Sequence, residues 1–176
     1  MVSIISTWAE ITNDFLDVLL NYVEGMHKTS SAVSKLLPFA TEASWATGRW
    51  DTLQSYLSLV PEENDGDFNI SIGRTLLALR KKDRNTFEKT VQTLREQIAS
   101  SLTTSTTSSL SVCHDTMLKF HVLTELEMIA GIEGSEDVPR KPVLESLDRR
   151  LEAIGSYLND KQYLLGIRRA AMQLSR

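Results

Sequence analysis

Apolar residues recur along this chain at intervals of three and four, and no window alternates convincingly at period two, so the pattern predicts helices throughout. The sharpest stripe is Phe87, Val91, Leu94, Ile98 and Leu102, with steps of four, three, four and four. Upstream, Thr7 and Glu10 form a T-x-x-E capping box that opens a helix carrying Ile11, Phe15, Val18, Leu19 and Tyr22 and stopping near Gly25. Pro38 removes a backbone donor, so a turn or short helix is expected before it and a helix from Pro38 to Thr47. Gly48 interrupts, and Trp50, Leu53, Leu57 and Val60 define the next helix. An acidic loop, Pro61 to Asp67, precedes a helix from about Asp67 to Lys82 with Ile72, Leu76 and Leu79 on one face.

The second half begins with a Ser/Thr-rich run, "SSLTTSTTSSLS", whose hydroxyls compete with the backbone for hydrogen bonds and disfavour a helix interior. Residues 100–111 are therefore expected to be a linker. The helix from Val112 to Ala130 has apolar residues on two sides, as a helix packed between neighbours requires. Pro142 suits a first helical position, and Leu144, Leu147, Leu151, Ile154 and Leu158 continue as one stripe. A break at Asn159-Asp160, with Asp160 as N-cap, leads to a last helix marked by Leu164, Ile167, Ala171 and Leu174. The total is about seven or eight helices in hairpins near 38–59, 67–101 and 112–158, which predicts an all-α solenoid of irregular helix pairs, with a compact bundle as the alternative. The division expected is an N-terminal helix and connector at 1–37 and a helical-repeat segment at 38–176.

Composition narrows the function rather than the fold. Among 176 residues, 41 % are hydrophobic and 24 % charged, ordinary for a globular domain. The net charge of −4 argues against a dedicated nucleic-acid surface. One cysteine, Cys113, allows no intrachain disulfide and fits a reducing compartment. The N-terminus lacks the basic and apolar regions of a signal peptide, and no window is apolar enough for a membrane span.

Candidate chemistry is sparse. No Gly-rich phosphate loop and no H-E-x-x-H occurs. Cys113 and His114 are adjacent, so on a helix they diverge by about 100° and cannot form a nucleophile–base pair. His121, among Phe120, Val122 and Leu123, reads as a satisfied structural histidine. Glu125/Glu127 and Glu62/Glu63 read as solvated faces. Arg80–Arg84 ("RKKDR"), Arg149-Arg150 and Arg168-Arg169 read as helix-end charge, surface charge or interhelix pairing. No catalytic, cofactor-binding or metal-binding residue is assigned.

The stretch "EASWATGRWDTLQSYL", Glu42 to Leu57, places Trp45 and Trp50 on either side of Gly48. An aromatic cage would need both rings to face one open cavity. A glycine-broken helix pair stapled by two buried indoles is the reading favoured here, and Trp50→Ala is expected to unfold that hairpin. The same stretch resembles the E-A-x-W…G-x-W-D segment of FAT domains in phosphatidylinositol-3-kinase-like protein kinases. "FHVLTELEMI", Phe120 to Ile129, is similar to the H-x-L-x-E-L-E helix of those domains. "GRTLLALRKKD" and "LLGIRRAAMQL" resemble the ATR branch more than the TOR branch. The resemblance covers residues 38–176.

The resemblance implies a non-catalytic scaffold. FAT domains are α-solenoids of TPR-like helix pairs that wrap a kinase domain lying C-terminal to them. Kinases of the ATR branch phosphorylate Ser or Thr followed by Gln, act in the nuclear DNA-damage and replication checkpoint, and pair with an ATR-interacting regulatory subunit. No Asp here is followed five residues on by Asn, and D-F-G is absent, so no kinase residue carries over and this chain is expected not to be an enzyme. It is expected to be a segment of a longer protein. Its partners would be the kinase domain, the rest of the solenoid and the regulatory subunit, with neither nucleic acid nor membrane. Its working residues would be structural: Trp45, Gly48, Trp50, Leu53, Phe87, Leu94, Phe120, Leu126, Leu151 and Leu164. The competing reading is a free-standing TPR-like adaptor that binds a peptide in its groove.

Overall fold

A computed structural model of the chain describes residue 18 and residues 31–60, 66–104, 110–133 and 140–174. These residues form seven helices and no strand: α1 (Ser31–Thr47), α2 (Trp50–Leu57), α3 (Phe68–Arg80), α4 (Arg84–Thr104), α5 (Leu110–Glu133), α6 (Arg140–Ala153) and α7 (Leu158–Leu174). The chain divides into two compact units, Met1–Leu77 and Ala78–Arg176, with the division falling inside α3. Of the helix expected between Thr7 and Gly25, only Val18 lies within the described residues.

In the first unit, α1 packs on α2. Leu37, Ala40 and Ala43 of α1 bury with Tyr56 of α2, and Leu36, Leu59 and Val60 close around them. The glycine stop is built as expected. Gly48 has φ +75°, its N–H donates to the Trp45 carbonyl, and the Arg49 N–H donates to the Ser44 carbonyl at 2.8 Å. This is a Schellman closure, whose left-handed position favours the residue without a Cβ. Trp45 is buried in the last turns of α1, whereas Trp50, the first residue of α2, is half-buried. A buried Trp45 does not face an open cavity, so the pair does not make a cage.

One expectation for this unit changes. The helix does not start at Pro38 but runs through it from Ser31. The proline forfeits one backbone bond, while buried Leu37 and Ala40 on either side supply packing that keeps the helix continuous. At α3, Asp67 is the cap: its Oδ1 accepts from the Ile70 N–H at 3.1 Å, so the helix starts at Phe68. Gly73 in α3 lies at a close approach. A Cβ there would be 2.6 Å from Thr41 Cγ2 and 3.2 Å from Leu53 Cδ1. Thr41 and Leu53 are both fully buried.

In the second unit, the end of α3 turns into α4 through Lys82, a non-glycine residue at φ +56°. Lys82 and Asp83 donate to the carbonyls of Leu79 and Ala78, another Schellman closure. Asp83 then caps α4, accepting from the Thr86 N–H at 3.0 Å and from the Thr86 hydroxyl at 2.6 Å. The α4 stripe of Phe87, Val91, Leu94 and Ile98 is buried, as its spacing predicts. α5 packs against α4, α6 and α7, which explains its two-sided apolar pattern. Val122, Leu123, Leu126 and Ile129 are buried on it, and Phe120 is half-buried. Leu147 of α6 and Leu164 and Ile167 of α7 complete this core, with Leu151 half-buried.

Helix also extends into the Ser/Thr run from both sides, to Thr104 and from Leu110, and residues 105–109 lie outside the described set. α6 begins at Arg140, two residues before Pro142, and ends at Ala153 rather than continuing to Leu158. The break is made by Gly155, at φ +70°, whose N–H donates to the Glu152 carbonyl at 2.9 Å. Leu158, expected on the α6 stripe, is exposed and begins α7 instead.

Gly73→Ala gains helix propensity yet is expected to lower stability by about 1–3 kcal/mol, because the added methyl overpacks Thr41 and Leu53. Adding Thr41→Ser, which removes Cγ2, should recover part of the loss in urea unfolding. The same assay should rank Trp45→Ala, at about 3–5 kcal/mol, above Trp50→Ala, because only the first indole is fully enclosed.

Candidate functional site

The concentration of polar interactions lies on α5, where the segment His121-Val122-Leu123-Thr124-Glu125-Leu126-Glu127 presents side chains to three other helices. Glu125 is the centre. It is 0 % exposed, on the same helical face as Leu118, Val122 and Ile129. Arg168 of α7, 5 % exposed, meets it in a two-point contact, Nε to Oε2 at 2.5 Å and Nη2 to Oε1 at 2.8 Å. Arg168 Nη2 also donates to the Leu147 carbonyl of α6, and its Nη1 lies 3.8 Å from Asp148 Oδ1. One guanidinium thus joins α5, α6 and α7. A bidentate Arg–carboxylate pair is the geometry that offsets the desolvation of both charges.

Arg150 of α6 adds a second cation. Its Nε lies 3.8 Å from Glu125 Oε1, and its Nη2 lies 3.2 Å from His121 Nδ1. A guanidinium has no acceptor, so Nδ1 accepts and His121 carries its proton on Nε2. Burial first, and Arg150 second, push the His121 pKa below 6.5, with Glu125 opposing. On the other side of α5, Glu127 pairs with Arg95 of α4, Nη2 to Oε2 at 2.5 Å, and Arg95 also donates to the Thr124 hydroxyl at 3.1 Å.

Glu125 therefore corrects the expectation of a solvated Glu125/Glu127 face; only Glu127 is exposed. The signal was present: an acid at core spacing on an apolar helix, with arginine pairs on two later helices. Arg168 and Arg150 take the interhelix role, while Arg149 and Arg169 are exposed. Glu62 and Glu63 lie outside the described residues. Cys113 is half-buried and free. His114 turns to α7, with Nε2 2.6 Å from Asp160 Oδ2 and its ring 4.5 Å from that of Tyr157. Asp160 thus lies inside α7 as a hydrogen-bond partner of His114 rather than as its N-cap.

Two further features gather polar groups. In the first unit, Glu42 accepts from Asn69 Nδ2 at 3.1 Å, and burial, then Asp67, raise its pKa above the usual carboxylate value. In the second unit, a cavity of about 450 Å³ is floored by Leu79 and Phe87 and rimmed by Lys82, Asp83, Arg84, Glu88 and Glu127. Its carboxylates are engaged locally: Glu88 with Arg84 at 2.7 Å, Glu127 with Arg95, and Asp83 with Thr86. Among the described residues no cluster of three or more His, Cys, Asp or Glu is arranged to hold a metal ion, and no helix is long and apolar enough to cross a membrane.

The described residues are thus successive helices, and the buried charged pair Glu125–Arg168 ties helices to one another. A family model of the FAT domain matches residues 37–176, and the chain belongs to that family, the helical-repeat-like region found in phosphatidylinositol-3-kinase-like protein kinases. It is similar to the serine/threonine-protein kinase ATR of Oryza sativa subsp. indica, 22 % identical over 178 residues, covering 91 % of this chain and 7 % of the kinase. The kinase ATR of Oryza sativa subsp. japonica gives the same figures. The serine/threonine-protein kinase mTor of Drosophila melanogaster is 24 % identical over 123 residues, covering 69 % of this chain and 5 % of that protein. The chain spans about 7 % of the length of the rice relatives.

Arg168→Met removes the two-point partner of buried Glu125, leaving only Arg150 at 3.8 Å, and is expected to cost about 3–5 kcal/mol in urea unfolding. Combining it with Glu125→Leu, which removes the orphaned charge, should recover most of that loss.

Proposed function

We propose that this chain is a non-catalytic scaffold segment of the FAT region of an ATR-like serine/threonine protein kinase. It would hold the surrounding solenoid and a kinase domain in their working arrangement, in nuclear signalling of DNA damage and replication stress, together with an ATR-interacting regulatory subunit. The observation that carries this reading is the α5 hub. His121, Glu125 and Glu127, the ionisable residues of the family-like segment, each bond an arginine, and the three arginines come from α6, α7 and α4. Such residues fix the relative placement of helices, which is the property a scaffold must supply. The matched FAT region and the likeness to two ATR kinases over most of the chain support the assignment to a kinase of this type.

The cavity over Leu79 and Phe87 favours a second reading, a TPR-like adaptor that captures a short peptide.

In a kinase carrying this segment, Glu125→Arg is expected to reduce phosphorylation of a Ser-Gln peptide, and Arg168→Glu in the same protein should restore part of it. The isolated chain should transfer no phosphate to that peptide. Full activity of the Glu125→Arg kinase, or phosphate transfer by the isolated chain, would count against the scaffold reading. Selective micromolar capture of one peptide by the isolated chain would favour the adaptor.

A further inference from the structure

The attachment of α6 differs in kind from that of its neighbours. α7 buries Leu164, Ile167, Ala170 and Ala171, whereas Leu147 is the one residue α6 fully buries. Beside Leu147 and the half-buried Leu151, its hold is polar: Arg150 Nη2 to His121 Nδ1 and Arg150 Nε facing Glu125 at 3.8 Å on α5, and the Leu147 carbonyl taken by Arg168 of α7. The first of these contacts depends on a proton. Arg150 donates, so the contact exists only while His121 Nδ1 is bare. A proton on Nδ1 deletes the acceptor and sets imidazolium against guanidinium.

We propose that the α5–α6 contact is a proton-sensitive joint, closed while His121 is neutral and loosened when it is protonated.

The surrounding charges favour that behaviour. Facing His121 from α6 is Arg150; one turn along α5 is Glu125; behind Glu125, from α7, is Arg168; and beside Arg168, from α6, is Asp148. From α4, Arg95 is engaged with Thr124 and Glu127. The Glu125 carboxylate is already committed to the Arg168 fork, so a charge on His121 would add to a cluster holding two arginines. Burial and Arg150 act in the same direction and hold the folded pKa below 6.5. The sign follows from linkage. Above the ordinary value of 6.5 both closed and open forms are neutral at His121 and the joint keeps its full stability. As pH falls from 6.5 toward the lowered folded value, the open form takes the proton first and the closed form is drawn off.

The test is amide hydrogen exchange on the full chain at about pH 7.5 and about pH 5.8, bracketing the ordinary histidine value and corrected for intrinsic rates. α6 amides between Leu144 and Leu151 should lose protection at the lower pH. In His121→Asn, which cannot titrate, that loss should vanish; in His114→Asn it should persist. Equal loss in His121→Asn and wild type, or no loss in wild type, would overturn the proposal. Should His121→Asn fail to fold, the ring of His121 can be titrated by NMR in wild type and in Arg150→Gln. A midpoint below 6.5 that rises in Arg150→Gln sustains the joint, and a midpoint at or above 6.5 in wild type contradicts it.

Discussion

A carboxylate with no exposed surface must be met by charge, and Glu125 sets that requirement for the whole second unit. Its partner, Arg168, arrives from a helix 43 residues later and brings the Leu147 carbonyl with it. Three helices are thereby tied at one point in a defined register. Apolar packing alone is less selective, since leucines on α5, α6 and α7 could slide by a turn and still be buried. Buried ion pairs contribute little net stability compared with apolar substitutes, but a broken one is costly, so the pair penalises every misaligned arrangement. Its value to a helical-repeat segment is in that discrimination.

The first unit solves a different problem with backbone chemistry. α1 ends in a glycine-closed turn and α2 begins two residues later, so the orientation of the hairpin is set by Gly48 and by the buried indole of Trp45. Gly73 permits α3 to approach Thr41 and Leu53 within ordinary contact only because it lacks a Cβ. Gly48 serves conformation and Gly73 serves space. The division between the units falls within α3 and close to the Lys82 turn, where a side-chain-bearing residue adopts a left-handed conformation.

Much of this was legible in the residues. The α4 stripe, the Gly48 stop and the sandwiched α5 follow from spacing and residue type, and the two-tryptophan stretch carries the resemblance to FAT domains. Pro38 was misread because local backbone cost was weighed without the burial of Leu37 and Ala40 that outweighs it. The end of α6 was placed at Asn159-Asp160, because the leucine stripe runs past Gly155 without interruption, and periodicity cannot see a positive φ. Asp160 looked like a cap and proved to be the partner of His114, a pairing across 46 residues that no local rule reaches. Glu125 is the instructive case. Its position on the Leu118–Val122–Ile129 face was visible, but which of several arginines would answer it depends on how three helices meet.

The central claim is that one buried pair holds α5, α6 and α7 together. It is tested most directly by amide hydrogen exchange in Arg168→Met compared with wild type at neutral pH. Simultaneous loss of protection across all three helices is the result the account predicts. Loss confined to α7, with α5 and α6 protected as before, would contradict it.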